Sequence, residues 1–454
     1  QVAVWNRHSA TMETFVAAHP GPNLLGARTL AELVQALARP RRVLLMISPG
    51  PPIDETIAHL QPLLAHGDVV IDGGNSWFKD TQRREATLAA AGLLFIGSGV
   101  SGGEEGARSG PSLMPGGPRV AYEAVRRLFE AIAAKTRFGP CVGWMGPDGA
   151  GHFVKMVHNG IEYGVMQLIA ETYDVLRTEL RLSNDESAAV FARWNRGPLE
   201  SFLVELTARV LRVRDEDGGH LVDQVEDAAA QKGTGRWTNE IALELAVPVP
   251  TIAAALDARV LSSMRAERLA AARRLPRPAA RRWSGAPRSW IAALEDALLG
   301  GAICAYAQGL ALIRAASAAY GWHVDLPEVA RVWTGGCIIR ARLLVRIMAA
   351  FRRQPDLPNL LVDPAIAREL ARVERRWRAV VAEAARTGVP AGAMAASLAY
   401  LDTYRAARLP QNLTQAQRDA FGAHTYRRLD RPDAGPQHSS WALPVERPTR
   451  RRRR

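Results

Sequence analysis

Lysine is almost missing from this chain. Of 58 Lys plus Arg residues only four are lysine: Lys79, Lys135, Lys155 and Lys232. Arginine keeps its proton in a protein, whereas a buried lysine can lose it. A lysine retained against so strong a drift toward arginine therefore has a reason where it sits in a dense motif, as Lys155 and Lys232 do. Lys79 and Lys135 read as surface residues. Cysteine is scarce too. Cys141, Cys304 and Cys337 are odd in number and lack paired metal spacing, which argues for reduced cytosolic thiols. No apolar run approaches the ~18 residues that a membrane helix needs. No charged leader with an apolar segment and cleavage site opens the chain, so a cytoplasmic location is expected.

What is present is a long chain of ordinary globular composition. Its 454 residues, 48% hydrophobic and 23% charged, predict two or three domains. The net charge of +13 invites a nucleic-acid reading. Part of it, however, is a terminal run, Arg447 and Arg450 to Arg454, that reads as a solvated tail. Other arginines alternate with acids, as in Arg372-Val-Glu-Arg-Arg-Trp-Arg378, and no zinc-finger or RNP signature accompanies them. An anionic small substrate suits such a surface better. Neither a nucleic-acid nor a membrane partner is expected.

The first 150 residues alternate strand-like and helical stretches. Val2 to Trp5, Val43 to Ile47, Val69 to Ile71 and Leu93 to Ile96 read as buried parallel strands. Each ends in turn or polar residues, where doubly wound sheets place their ligands. From Gly151 the strand signal stops. Helices are expected at 152–180, 199–213, 251–273, 288–320, 364–388 and 391–406. Beyond Pro410, the prolines at 432, 436, 444 and 448 predict an extended tail. The expected layout is a Rossmann-like α/β domain over 1–149, a large all-helical domain over 150–406 and a C-terminal tail over 407–454.

The densest chemistry lies in Gly151-His-Phe-Val-Lys155-Met-Val-His158-Asn159-Gly-Ile-Glu162-Tyr163. On a helix, Lys155, His158, Asn159 and Glu162 share one stripe. Phe153, Val154, Met156, Val157 and Ile161 cover most of the rest, so the helix is expected to be buried. A buried amine, imidazole, amide and carboxylate need partners or a ligand. A structural ion pair between Lys155 and Glu162 is the competing reading; an acid–base site is preferred.

Gly97-Ser-Gly99-Val-Ser-Gly102 matches a dinucleotide GxGxxG, but its context is wrong. Further glycines and prolines follow, so an irregular loop is expected instead of a helix. Its exposed N–H groups and Ser101 suit an anion. Asn6-Arg7 ends the first visible strand, where such folds read the adenosine ribose, and arginine there suits a 2′-phosphate. The strand and Gly-rich turn that normally precede it would occupy roughly 30 residues, so the domain is expected to be incomplete at its start.

Several long motifs now stand in one order: Asp72-Gly-Gly-Asn-Ser76, Gly97 to Gly103, the Lys155 helix and Val225-Glu-Asp-Ala-Ala-Ala-Gln-Lys232-Gly-Thr-Gly-Arg-Trp237. Trp333-Thr-Gly-Gly-Cys-Ile-Ile-Arg340 and the Arg418 to Tyr426 segment complete the set. In this order they resemble the decarboxylating 6-phosphogluconate dehydrogenases of the pentose phosphate pathway and gluconate utilization, over almost the whole chain. The resemblance implies a homodimer whose tail threads into the partner, NADP as cofactor and no metal. It implies oxidation of 6-phospho-D-gluconate to a 3-keto acid that loses CO2 to give ribulose 5-phosphate. Lys155 would be the base and Glu162 the acid. Ser101, Gly102, Gly103, His158 and Asn159 would hold the sugar acid. Tyr163, Lys232, Arg259 and, from the other subunit, Arg418 and His424 would grip the phosphate. Asn6, Arg7, Ile47, Ser48, Pro49 and Asn75 would contact NADP.

Three positions depart from the usual family pattern: His8 where threonine is usual, Ser48 where many members carry lysine and Val165 where aspartate is usual. Arg259 taken alone is an ordinary helical arginine, and His424 could be a tail residue without a role. Two other functions compete. One is a related β-hydroxyacid dehydrogenase acting on a smaller acid, against which the phosphate-gripping set argues. The other is a truncated or degenerate member with impaired cofactor binding, in one version an RNA binder using the arginine tail.

Overall fold

The first 140 residues build strands by β-branched and leucine runs and helices by amphipathic stretches between them. In the computed structural model, which describes residues 1–231, 233–276, 278 and 283–441, the order is β1 (Val2–Trp5), α1 (Ser9–Ala18), β2 (Leu24–Ala27), α2 (Leu30–Gln35), β3 (Arg42–Leu45) and α3 (Pro51–Leu60). Then come β4 (Val69–Asp72), α4 (Phe78–Ala90), β5 (Leu94–Ser101), α5 (Gly103–Ser109), β6 (Ser112–Gly116), α6 (Arg119–Ile132) and the hairpin β7 (Lys135–Thr136) and β8 (Gly139–Pro140). Lys232 and the arginine run near the C-terminus lie outside the described residues.

Strands β3, β4 and β5 are parallel, and β6 closes their sheet antiparallel to β5. Strands β1 and β2 form a separate parallel pair. One apolar core serves both pieces: Val34, Val43, Leu45, Ile53 and Phe95 are buried together, with Ala3 and Trp5 packed against them. A second core, including Ile71, Ile96, Val125 and Phe129, fills the other face under α6. Strands β4 and β6 are buried at every position, whereas β3 alternates, leaving Leu44 and the following Met46 exposed. The expectation of fully buried strands therefore fails at β1, where Val2 is exposed, and at β3. Strand β3 stands at the edge of its sheet, and one face is open to solvent.

The glycine-rich segment also differs from the expected loop. Strand β5 runs on through Gly97 and Gly99 to Ser101, and α5 starts at Gly103. The extra length is possible because β6 pairs with this part of β5, Ser98 facing Pro115 and Ser101 facing Ser112. The ladder satisfies backbone groups that a loop would leave to water or a ligand.

The helical part comprises α7 (Ala150–Thr178), α8 (Asn184–Trp194), α9 (Phe202–Val210), α10 (Thr234–Glu244), α11 (Pro250–Ser263), α12 (Arg265–Arg274) and α13 (Pro287–Tyr320). It continues with α14 (Leu326–Val332), α15 (Leu343–Arg353), α16 (Pro364–Thr387), α17 (Gly392–Arg405) and α18 (Gln411–Gly422). The single helix expected over 251–273 is two, broken at Met264. Helix α8 begins with a full capping box, Ser183 and Glu186 bonding reciprocally.

Helix α13 corrects a further expectation. It is long and apolar enough to cross a membrane, yet its most apolar window is 94% buried inside the protein. Small residues make that burial possible. A Cβ on Gly309 would sit 2.5 Å from Ile161, and one on Gly300 would sit 2.5 Å from Trp377, so α13 lies close between α7 and α16.

Residues Gln1–Tyr400 form one compact unit, and a second begins at Leu401. The second is more ordered than its prolines predict. Tyr426 and Gln437 exchange backbone hydrogen bonds of 2.8 Å, and four groups converge on the buried Asp419. That carboxylate organises a segment with almost no apolar core of its own.

Candidate active site

Helix α7 is apolar nearly all round and buries 20 of its 29 residues. Its polar stripe comes to rest against β5 and α10. Lys155 is only 5% exposed, and its Nζ donates to Asn159 Oδ1 at 2.8 Å and lies 3.4 Å from His158 Nδ1. His158 is wholly buried, with Nε2 3.2 Å from Ser101 Oγ. Asn159 is fixed from its other end, its Nδ2 donating to Thr234 Oγ1 at 3.1 Å. Glu162 stands one turn on, its Oε2 3.9 Å from His158 Nδ1, with a fifth of its side chain open to solvent.

Burial drives the electrostatics. It lowers the Lys155 pKa below the usual lysine range, against the opposing pull of Glu162 and Cys337. It depresses His158 well below the usual imidazole range, helped by the neighbouring Lys155. It raises the Glu162 pKa, against the opposing cations of Lys155 and Arg259. The stripe thus holds an amine disposed to lose its proton and a carboxyl disposed to keep one. Such opposed shifts mark the partners of acid–base chemistry. The competing reading, a structural Lys155–Glu162 ion pair, finds no such contact; Lys155 bonds Asn159 instead.

The floor of the site is glycine. A Cβ on Gly99 would lie 2.3 Å from Lys155 Cβ, so the lysine stem rests on the bare backbone of β5. Gly102, at φ 115°, turns the chain into α5, and a Cβ there would meet Gly336 O at 2.6 Å. The Trp333 to Cys337 turn packs directly beneath the Ser101–Gly103 turn, with Ser112 N donating to Gly336 O at 2.8 Å. Trp333 contacts the His158 ring edge-on, at 5.7 Å between centroids. The sequence displays the Trp333 motif but not this role for it, and nothing in the sequence singles out Thr234. The close-set glycines of both turns were the available signal.

On the outer side, Arg259 stacks its guanidinium 3.5 Å above the Tyr163 ring and donates to Ala230 O at 3.3 Å. Tyr163 is itself pressed against Gly235 of α10. Lys232 lies outside the described residues. Arg418 and His424 lie in the unit that begins at Leu401, and both are exposed.

The expected cofactor residues lie along the carboxyl ends of β1, β3 and β4. Asn6, Arg7, Ser48, Pro49 and Asn75 are all exposed there and Ile47 is half-buried. Buried Arg84 ties two of these loops together. It donates to Asp72 Oδ2 at 3.3 Å, to Asp54 Oδ1 at 2.8 Å and to Gly50 O at 3.0 Å. Asp72 in turn accepts from Ser76 Oγ at 2.6 Å and Gly74 N at 3.0 Å. An exposed cation at Arg7 and a rigid polar rim beyond β3 and β4 fit a phosphorylated dinucleotide. Val165, where aspartate is usual in the family, is buried and lines an apolar pocket with Ile169, Leu199, Leu298 and Tyr306, surroundings that suit valine.

A doubly wound domain joined to a buried amine–imidazole–carboxylate stripe is the layout of a dinucleotide-dependent dehydrogenase. Residues 1–146 match the NAD-binding domain of 6-phosphogluconate dehydrogenase, and residues 151–441 match that enzyme's C-terminal domain. The chain belongs to the 6-phosphogluconate dehydrogenase family. It is 51% identical to the decarboxylating 6-phosphogluconate dehydrogenase of Synechococcus elongatus, over 97% of this chain and 94% of that protein. It is 48% identical to the NADP(+)-dependent decarboxylating enzyme of Bacillus subtilis, with the same coverage. Among solved structures, Plasmodium falciparum 6-phosphogluconate dehydrogenase, studied apo, with NADP+ and with 6-phosphogluconate, superposes with a TM-score of 0.93. That pair is 39% identical, covering 97% of this chain and 94% of the other.

Proposed function

We propose that this protein oxidises 6-phospho-D-gluconate to a 3-keto acid and decarboxylates it to D-ribulose 5-phosphate, with NADP as oxidant. The observation that carries the reading is the Lys155 amine, sunk beside His158, Asn159 and Ser101 with its pKa lowered by burial.

Bound NADP would supply the acceptor for the C3 hydride. Neutral Lys155 takes the C3 hydroxyl proton. The resulting ammonium gives that proton to the C3 carbonyl oxygen as the C1–C2 bond breaks and CO2 leaves. Glu162, whose pKa burial raises, delivers a proton to C1 of the enediol. Ser101, Gly102, Gly103, His158 and Asn159 orient the carboxylate and hydroxyls. Tyr163, Lys232 and Arg259 would grip the phosphate end, where arginine forks suit a dianion. Asn6 and Arg7 read the adenosine ribose and its 2′-phosphate, and Ile47, Ser48, Pro49 and Asn75 line the rest of the cofactor rim.

In this reading residues 1–149 bind cofactor, 150–406 bind substrate and build the dimer, and 407–454 reach the partner. The protein works as a cytoplasmic homodimer, each tail lending Arg418 and His424 to the other subunit's phosphate site. The test is turnover by the full-length protein. NADPH and CO2 should appear together with 6-phosphogluconate, and Lys155→Met should lower the rate by roughly 10²–10⁴-fold with the fold intact. Retained activity in that variant overturns the assignment.

A further inference from the structure

We propose that Asp419 is a positioning residue that pre-sets Arg418 and His424 as a pair before the tail meets the phosphate. The inference rests on the reading that those two residues grip the phosphate.

Asp419 is wholly buried, although most residues around it in the sequence are exposed. Its Oδ1 accepts from Thr425 N at 2.8 Å and His438 Nδ1 at 3.0 Å. Its Oδ2 accepts from Ser439 N at 3.0 Å and Trp441 Nε1 at 2.7 Å. Four donors on one carboxylate tie the end of α18 to a segment about 20 residues further on. Tyr426 reinforces the tie, its hydroxyl 2.8 Å from Ser439 Oγ and its ring 5.4 Å from that of Trp441.

The turn so held is the one carrying His424. Its neighbours Ala423 and Thr425 have φ of 51° and 60°, left-handed values that residues with a Cβ adopt only when their surroundings impose them. Asp419 clamps this turn twice, its backbone carbonyl accepting from Ala423 N at 2.9 Å and its side chain from Thr425 N. Gln415 completes the link. Its Nε2 donates to Thr425 O at 2.5 Å, and its Oε1 accepts from Arg418 Nη1 at 3.1 Å. One continuous chain of hydrogen bonds thus runs from the Arg418 guanidinium through Gln415 and the strained turn to Asp419. Without it, two side chains on a loose tail would have to be ordered at the moment of binding, which weakens affinity.

The experiment compares Asp419→Asn, Trp441→Phe and Arg418→Ala in the full-length protein. Asp419→Asn should raise KM for 6-phosphogluconate by roughly tenfold or more while kcat changes by less than about threefold. It should leave inhibition by gluconate, the same sugar acid without phosphate, unchanged. Trp441→Phe, which removes one donor, should raise KM by a smaller factor and decides the matter if Asp419→Asn fails to fold. A raised KM in Arg418→Ala with none in the Asp419 and Trp441 variants overturns this proposal alone. Equal losses of gluconate and 6-phosphogluconate affinity overturn it too, since the damage is then general. An unchanged KM in Arg418→Ala overturns the phosphate reading of the tail, and this inference with it.

Discussion

Lys155 stands on Gly99 with no room between them for a methyl group, since a Cβ on the glycine would come within 2.3 Å of the lysine Cβ. Gly99→Ala must therefore move either β5 or α7. We expect a loss of about 1–3 kcal/mol in stability from overpacking. Because Nζ is displaced with the helix, kcat should fall by about a hundredfold. Denaturant unfolding and steady-state kinetics on the same preparation check both, and an unchanged kcat would place the base elsewhere.

Lys155→Arg preserves charge and removes the ability to shed it. A guanidinium does not deprotonate in a protein, so the rate should fall by roughly 10²–10⁴-fold. Raising the pH should not restore it. In the parent, kcat/KM should instead decline as pH falls, because Lys155 is protonated once pH drops through its lowered pKa. Recovery of the arginine variant at high pH would contradict a lysine base.

Glu162→Gln separates two effects. Its carboxylate favours the Lys155 ammonium, so removing that charge should lower the lysine pKa further. The acid side of the pH–rate profile should then move to lower pH. The maximal rate should drop as well, for want of the proton donor to C1. A profile that shifts toward alkaline pH would refute the coupling.

Arg84→Met leaves Asp72 buried without its cation. Breaking such a pair from one side costs about 3–5 kcal/mol, measurable by urea unfolding. Arg84 also holds Gly50 and Asp54 beside the Asp72 loop, so KM for NADP should rise more than KM for 6-phosphogluconate. Equal changes in both would show only general loosening.

The Lys155 stripe was legible in the sequence because a helix with apolar residues on every other side has one way to bury itself, and the i, i+3, i+4, i+7 spacing does the rest. The cofactor rim was legible for a similar reason: short apolar runs stop at polar turns. What escaped was non-local. The extension of β5 through its glycines depends on β6, and nothing near Gly97 in the chain announces that pairing. Leu44 and Met46 have a strand's residue types, but exposure is decided by which neighbours the strand lacks. Asp419 read as one acid among many in a proline-rich tail, since its partners at 425, 438, 439 and 441 meet only in three dimensions. The membrane-length helix α13 is a case of composition without context.

No ladder joins β1 to β3, so the end of the rim that bears Asn6 and Arg7 meets the end that bears Asn75 mainly through interlocked side chains such as Trp5, Val34 and Leu45. Ladder bonds fix distances stiffly, while greasy contacts slide at little cost. The span between the two halves of the groove is thus the compliant dimension of this domain. A dinucleotide bridging both halves would act as a strut, and its grip should show up as reduced amide exchange in β1 and β3 before anywhere else.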